Sequence, residues 1–307
     1  IHTDIDRRYN ENAQRLFSNI GLVQAWQIND KLSLNFSLDH GELIAGEGDL
    51  FPDSTLTPAS GNPDNFTALS LGGSYHEKKW SSTARIEYRD SKIEDRLGIT
   101  ANMFGEPRGG LGLLISTRVN KSETSSGLRK LDGDIRLGFV YRPLRTRWLA
   151  LNRLDFIFST QEGGQFDYDN WRLVENINVN CRFSTRLSTA LQYGAKYMRE
   201  VIGPNRYRGY TDLIGLESRY DLGSRWDIGG RLSLLHSWSL KQYQYGSGIS
   251  MGYSLFKNAW ASLGYNFSGF DDRDFSEGNF TARGPFLQVR FKFDDMTVKN
   301  IARSLGL

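Results

Sequence analysis

Apolar and polar residues alternate along almost the whole chain. From Lys31 to Asp39, Leu32, Leu34, Phe36 and Leu38 fall on one face, and Ser33, Asn35, Ser37 and Asp39 on the other. A two-residue period puts such sets on opposite faces of a β-strand. Leu111, Leu113, Ile115, Thr117 and Val119 oppose Gly112, Leu114, Ser116, Arg118 and Asn120 in the same way. The split recurs in Ile135–Arg142, Leu187–Tyr197 and Leu287–Phe293. Fifteen strands are clear between about Leu16 and Phe293, and a sixteenth is expected at Ile1–Tyr9. Their separators alternate too. Short turns sit at Asn29–Asp30, Glu77–Lys79, Glu106–Gly109, Leu144–Thr146, Arg182–Ser184, Asp221–Ser224 and Phe256–Asn258. More polar connections lie between them, at Gly41–Asn65, Lys121–Lys130, Gln161–Asp169, Glu200–Gly209, Lys241–Gln244 and Ser268–Asn279, with Ser91–Asp95 as the short member of that set.

Strands of roughly 9–11 residues, an even count, and short turns on one side with longer loops on the other are the pattern of a transmembrane barrel. The expected fold is therefore all-β: an up-and-down antiparallel transmembrane β-barrel of about 16 strands, with short periplasmic turns and longer extracellular loops. A β-sandwich gives no reason for short and long connections to alternate. A propeller needs a blade repeat of about 40 residues, and no such repeat is present. The barrel is assigned to residues 1–293. Residues 294–307 form a C-terminal periplasmic tail, in which Val298, Ile301, Ala302 and Leu305 recur at helical spacing.

The aromatic residues form a second pattern. On the apolar face, Trp26, Tyr75, Trp80, Tyr141, Trp148, Tyr220, Trp226, Tyr253 and Phe293 lie beside the short turns. Tyr88, Phe156, Phe158, Trp171, Tyr193, Tyr197, Trp238, Tyr265 and Phe267 lie toward the long connections. Two belts separated by aliphatic residues suit the two interfaces of a bilayer, where amphipathic rings prefer the headgroup level. Glu175 and Trp260 break the pattern. Glu175 shares the lipid-facing parity of Leu173 and Ile177, and Trp260 the lumen parity of Ser262 and Asn266. A bulge would shift the register by one residue and repair either case.

Composition alone would suggest a soluble protein, with 307 residues, 39% hydrophobic content and a net charge of +3. A barrel explains the low hydropathy, because half of every spanning strand faces a polar lumen. No apolar run approaches 18 residues, so no transmembrane helix is expected. One Cys and four His leave no material for a disulfide framework or a multi-Cys metal site. The charge is too small for a nucleic-acid binder. With neither an initiator Met nor a leader, the chain is expected to be a mature or excised piece.

Between Asn10 and Phe293 the sequence resembles the C-terminal outer-membrane barrel domains of large, repeat-containing bacterial surface proteins. The segments that carry the resemblance are NENAQRLFSNIGL, WRLVENINVNCRF, LQYGAKYMRE followed by YRGYTDLIGLE, and LFKNAWASLGYNFSGFDDRDF leading into GPFLQVRFKFD. The resemblance implies a membrane-embedded anchor or translocating barrel in a bacterial outer membrane. It implies no catalytic residues.

Strand parity assigns to the lumen Arg85, Glu87, Arg89, Arg96, Arg118, Arg136, Arg142, Arg153, Asp155, Arg172, Lys196, Glu217, Arg219, Asp227, Arg231, Arg290 and Lys292. Cations outnumber anions there. Sixteen strands enclose more space than side chains fill, so an open lumen would favour anionic solutes. The alternative is that these arginines pair with neighbouring acids and stiffen the wall. The acidic segment carrying Glu42, Glu47, Asp49, Asp53 and Asp64 would fold inward as a constriction, or else remain a solvated outer loop. The cluster Asp271, Asp272, Asp274 and Glu277 lacks calcium-loop spacing and reads as a solvated loop. His236 beside Ser237 has lipid-facing parity and reads as belt, and Cys181 as a small apolar filler. Three functions are thus in view. The first is an anchor or translocating barrel of a larger surface protein. The second is a stand-alone porin-like channel preferring anions, and an outer-membrane enzyme is a distant third. No enzyme activity, cofactor or metal is expected. The expected partners are outer-membrane lipid and lipopolysaccharide, and upstream domains or other envelope proteins.

Overall fold

The computed structural model describes residues 2–10, 13–47, 65–143, 146–256, 259–270 and 283–291. They form one antiparallel sheet of sixteen strands in strict sequence order. The strands are β1 (His2–Asn10), β2 (Ala13–Gln27), β3 (Leu32–Glu47), β4 (Phe66–His76), β5 (Trp80–Ser91), β6 (Glu94–Arg108), β7 (Leu111–Thr124) and β8 (Arg129–Tyr141). They continue as β9 (Trp148–Glu162), β10 (Tyr168–Arg182), β11 (Leu187–Ile202), β12 (Asn205–Asp221), β13 (Trp226–Ser237), β14 (Gln242–Phe256), β15 (Ala259–Ser268) and β16 (Gly284–Phe291). Each strand pairs with its neighbours in sequence, and no ladder joins β1 to β16 among the described residues. The sixteenth strand expected at the N-terminus is present and pairs with β2 from His2↔Gly21 to Asn10↔Ala13.

The polar connections are shorter than their composition suggests, because the strands run into them. β3 continues through Glu47, so Gly41–Glu47 is strand rather than loop. The segment Glu200–Gly209 is the tip of a long hairpin, closed by Gly203 and Pro204 alone. Beyond the membrane neither face of a strand has to be apolar, so alternation fades while the backbone ladder goes on. Of the acidic constriction residues, Glu42 is exposed on β3 and Glu47 ends that strand, whereas Asp49, Asp53 and Asp64 lie outside the described residues. The cluster Asp271–Glu277, Lys292, Phe293 and the tail 294–307 also lie outside them.

Burial shows which solvent the sheet is made for. Among the described residues only Val174, Cys181, Leu213, Leu235 and Ala259 are buried hydrophobics. A water-soluble chain of this size needs a far larger apolar core. Its large aliphatic residues instead cover one face of the wall, including Leu22, Ile86, Ile99, Ile115, Leu137, Leu191, Ile214, Leu232 and Ile249, all exposed. A continuous apolar surface of this kind fits lipid and not water. No described helix is long and apolar enough to cross a membrane, so the crossing elements are the strands. The sheet is therefore the wall of a transmembrane β-barrel.

The rings at the two rims support one another. At the short-turn end Trp226 packs on Tyr253 with centroids 4.6 Å apart, and Trp148 meets Phe183 edge-on at 6.3 Å. Trp26 and Tyr141 are exposed on the same side. Trp80 lies over Gly105 on the facing strand, where any Cβ would collide with its ring. At the other end Trp171 contacts Phe156 and Tyr197, with centroids 6.1 and 5.4 Å away. Trp238 packs on Tyr210, and Tyr265 on Phe267.

Neither irregular residue is repaired by a bulge. The ladders of β9, β10 and β11 run without a register shift, so Glu175 stays on the outer face. There it accepts a hydrogen bond from the Asn152 amide of β9. Trp260 stays in phase with the buried Ser262 and Asn266, opposite Ser254 and Arg290. The nearby bulge, between Ser254 and Phe256, leaves that phase unchanged.

Candidate functional site: the arginine-lined lumen

The inner face is a succession of arginines held by short-range partners. On β5, Arg85 Nη2 lies 2.7 Å from Glu87 Oε1 and donates to Ser70 Oγ at 3.1 Å. Arg89 stacks over the Phe66 ring, 4.2 Å from its centroid. Arg96 pairs with Glu94 at 3.2 Å, and Arg118 with Asp134 at 2.8 Å. Asp155 lies between two cations. It accepts a hydrogen bond from Arg136 Nε at 2.7 Å, and Arg153 Nε lies 2.9 Å from its other oxygen. The Arg153 N–H points past that oxygen, so this second contact is an ion pair without hydrogen-bond geometry. Arg219 meets Asp227 at 2.6 Å and Glu217 at 3.8 Å, and Arg231 donates to Asn266 at 3.2 Å. Arg172 joins Arg118 and Arg136 around a cavity of about 600 Å³. Lys196 occupies the rung between Val174 and Thr211. Most of the residues that parity assigns to the lumen thus have a polar partner on the same face of the sheet.

The pairing runs out at the short-turn mouth. A cavity of about 1280 Å³ opens there, lined by residues from β6 to β12 and by Arg290 of β16. A residue of the last strand thus shares one cavity with strands from the middle of the sheet, which shows that the sheet is rolled. Arg142, Arg147, Arg182, Arg219 and Arg290 line this space against Glu106 and Glu217, a net +3. Arg219 is taken up by its two acids, and Arg147 donates to the Phe183 carbonyl at 3.2 Å. Glu106 accepts from the Gly110 amide at 3.0 Å. Among the described residues no acid lies within salt-bridge distance of Arg142, Arg182 or Arg290. Three guanidiniums thus share the short-turn mouth with no acid paired to them among the described residues. The single cysteine, Cys181, is buried at the edge of this cavity, opposite Trp148.

Two features were not foreseen from the sequence. Val174, Leu213 and Leu235 have inward parity yet are apolar and buried, at 2%, 1% and 7% exposure, and Phe270 packs on them. Phe270 lies two residues beyond β15, so the β15–β16 connection starts inside the barrel. The sequence signal was three aliphatic residues at positions where the parity calls for polar ones. The second feature is on the outer face. Asp212 shares the parity of Ile214 and Leu216, pairs across the ladder with His236, and approaches its Nδ1 to 3.7 Å. His236 stacks on Tyr243 with centroids 4.2 Å apart and planes 4° from parallel, and meets Trp238 at 4.4 Å. Among the described residues no group of His, Cys, Asp and Glu is arranged to hold a metal.

No known family model matches the chain, and no curated protein does. Similarity is found among solved structures. The outer-membrane channel DcaP of Acinetobacter baumannii aligns at 8% identity and a TM-score of 0.43, over 83% of this chain and 85% of that one. A mutant porin of Rh. blastica aligns at 12% identity and a TM-score of 0.36, over 92% and 91%. The translocator domain of the autotransporter NalP from Neisseria meningitidis aligns at 13% identity and a TM-score of 0.24, over 80% and 90%.

Proposed function

We propose that this chain is a bacterial outer-membrane β-barrel whose basic interior gives small anionic solutes a path through the wall. The observation that supports this most is the short-turn mouth, where Arg142, Arg182 and Arg290 line a cavity of about 1280 Å³ with no acid among the described residues paired to them. Charged rings select permeant ions by sign. Deeper in the lumen Arg85, Arg96, Arg118, Arg136 and Arg153 each have an acid beside them, so the three mouth arginines are expected to weigh most in the preference. The barrel is read as non-catalytic. His236 faces outward with Asp212, while Ser237 has the inward parity of Leu235, so these neighbours in sequence do not form a reactive pair.

A second reading is the membrane anchor or translocating barrel of a larger surface protein. It rests on the sequence resemblance over Asn10–Phe293 and on Phe270, which seats the start of one connection inside the lumen. Planar bilayers separate the two. The purified chain, inserted under a KCl gradient, should conduct with a reversal potential of the sign set by chloride. Replacing Arg142, Arg182 and Arg290 together by Gln should move that potential toward zero. A chain that inserts but does not conduct would favour the anchor.

A further inference from the structure

The hairpin of β11 and β12 projects past the upper aromatic belt, and its outer face carries three arginines. Arg199 has the outward parity of Tyr197, and Arg206 and Arg208 that of Tyr210. Arg199 and Arg208 are direct cross-strand partners. Like charges directly opposite one another destabilise a sheet pair, so this arrangement calls for a counter-charge. One is present: Asp169 Oδ2 lies 3.6 Å from Arg199 Nη1. Arg206 and Arg208 are exposed, and no described acid lies within salt-bridge distance of either. Directly below the arginines the rings of Trp171 and Tyr197 are 5.4 Å apart, and those of Tyr210 and Trp238 are 6.3 Å apart. The order from the membrane outward is therefore aliphatic wall, ring belt, guanidinium cluster.

We infer that this face is a binding site for a phosphorylated glycolipid of the outer leaflet. Its acyl chains would lie on the aliphatic wall, its sugars against the ring belt, and its phosphate between Arg208, Arg206 and Arg199. A guanidinium fork matches a phosphate in geometry as well as in sign. A free anion would have the same headgroup chemistry, but it would make no use of the rings and aliphatic residues beneath. The chemistry of the patch thus commits it to a lipid. The site shares with the proposed function only the membrane placement, and lumen conductance does not depend on it.

The test uses the whole chain, purified in a neutral detergent. Thermal unfolding is followed with added bis-phosphorylated lipid A, with phosphatidylcholine, and with inorganic phosphate. Lipid A alone should raise the midpoint. The double variant Arg206→Gln, Arg208→Gln should weaken lipid A binding at least tenfold, and Arg206→Lys, Arg208→Lys should retain part of it. Lys78→Gln, at the opposite rim, controls for charge and should bind as the parent does. Native gel mobility before and after heating reports whether each variant is folded, and the single variant Arg208→Gln serves if the double variant is not. The inference is overturned if lipid A gives no shift, if inorganic phosphate gives the same shift, or if the folded glutamine variant binds as tightly as the parent. A chain that conducts anions but ignores lipid A would refute this site and leave the pore standing. The converse result would do the reverse.

Discussion

Replacing Asp155 by Asn removes one negative charge from the middle of the lumen wall and leaves two arginines facing each other. Asp155 is 5% exposed, while the side chains of Arg136 and Arg153 remain 44% and 36% exposed. The Arg136 contact, at 2.7 Å with good geometry, is a charged hydrogen bond, a class worth about 1.5–3 kcal/mol. The Arg153 contact lacks that geometry, and although its Nε is buried its side chain as a whole is 36% exposed, so it is taken as a weak ion pair worth about 0.2–1 kcal/mol. Asn keeps one acceptor for Arg136, which offsets part of the loss. The expected destabilisation is about 2 kcal/mol. Urea unfolding in lipid vesicles, followed by the loss of the heat-modifiable folded band, measures it. Asp134→Asn is the comparison, since its partner Arg118 is 64% exposed, and the cost there should stay below about 1 kcal/mol. The same Asp155 variant should strengthen anion preference in bilayers, because two guanidiniums lose their counter-charge. A loss under about 0.5 kcal/mol, or one no larger than that of Asp134→Asn, would refute the reasoning that burial of the carboxylate sets the value of the pair.

Other outcomes follow from particular contacts. Gly105→Val should push Trp80 off the facing strand, costing about 1–3 kcal/mol as an overpacking change, and should shift the tryptophan emission. Leu213→Ala, at 1% exposure beside Phe270, should cost about 2–4 kcal/mol and raise single-channel conductance; unchanged conductance would mean that Phe270 does not narrow the path. At the short-turn rim, Lys31 Nζ lies 2.6 Å from Glu77 Oε1, and Tyr75 donates to the other oxygen at 2.8 Å. These two donors hold the Glu77 carboxyl below its ordinary range, and Glu77 raises the Lys31 ammonium above its own. A lowered carboxyl pKa makes this contribution complete above the ordinary carboxylate value and lost as pH falls through the lowered one. The protection factors of the Ile28 and Asn29 amides, which bond the Leu32 carbonyl beside Lys31, should therefore fall in acid in the parent once the intrinsic exchange rate is divided out, and Glu77→Gln should remove that fall.

Much of the fold was legible because a barrel in lipid writes a two-residue period into every spanning strand. The wall around Leu32–Asp39 and Leu187–Tyr197 is the plain case. The hairpin tip at Glu200–Gly209 was misread because above the bilayer no face is required to be apolar, while the ladder still pairs Arg199 with Arg208. Glu175 looked like a register error. It is instead an outward carboxylate satisfied by Asn152, a partner 23 residues away that no local pattern reveals. The inward parity of the arginines and the option that they pair with wall acids were both in the sequence, but which arginine takes which acid was not. Parity gives the face, whereas the division between neutralised residues such as Arg136 and unpaired ones such as Arg142 depends on register between strands. Phe270 was invisible for a similar reason, since its partners come from β10, β12 and β13.

In this barrel odd and even positions of a strand face two different solvents. Single cysteines along β13 test it in a Cys181→Ser background, with the chain folded in lipid vesicles and exposed to a membrane-impermeant thiol reagent. Gly229, Arg231 and Ser233 should label when replaced by Cys, whereas Ile228, Gly230, Leu232 and Leu234 should stay protected by lipid. Labelling at every position, or protection on the odd set, would contradict the barrel and the lumen assignment with it.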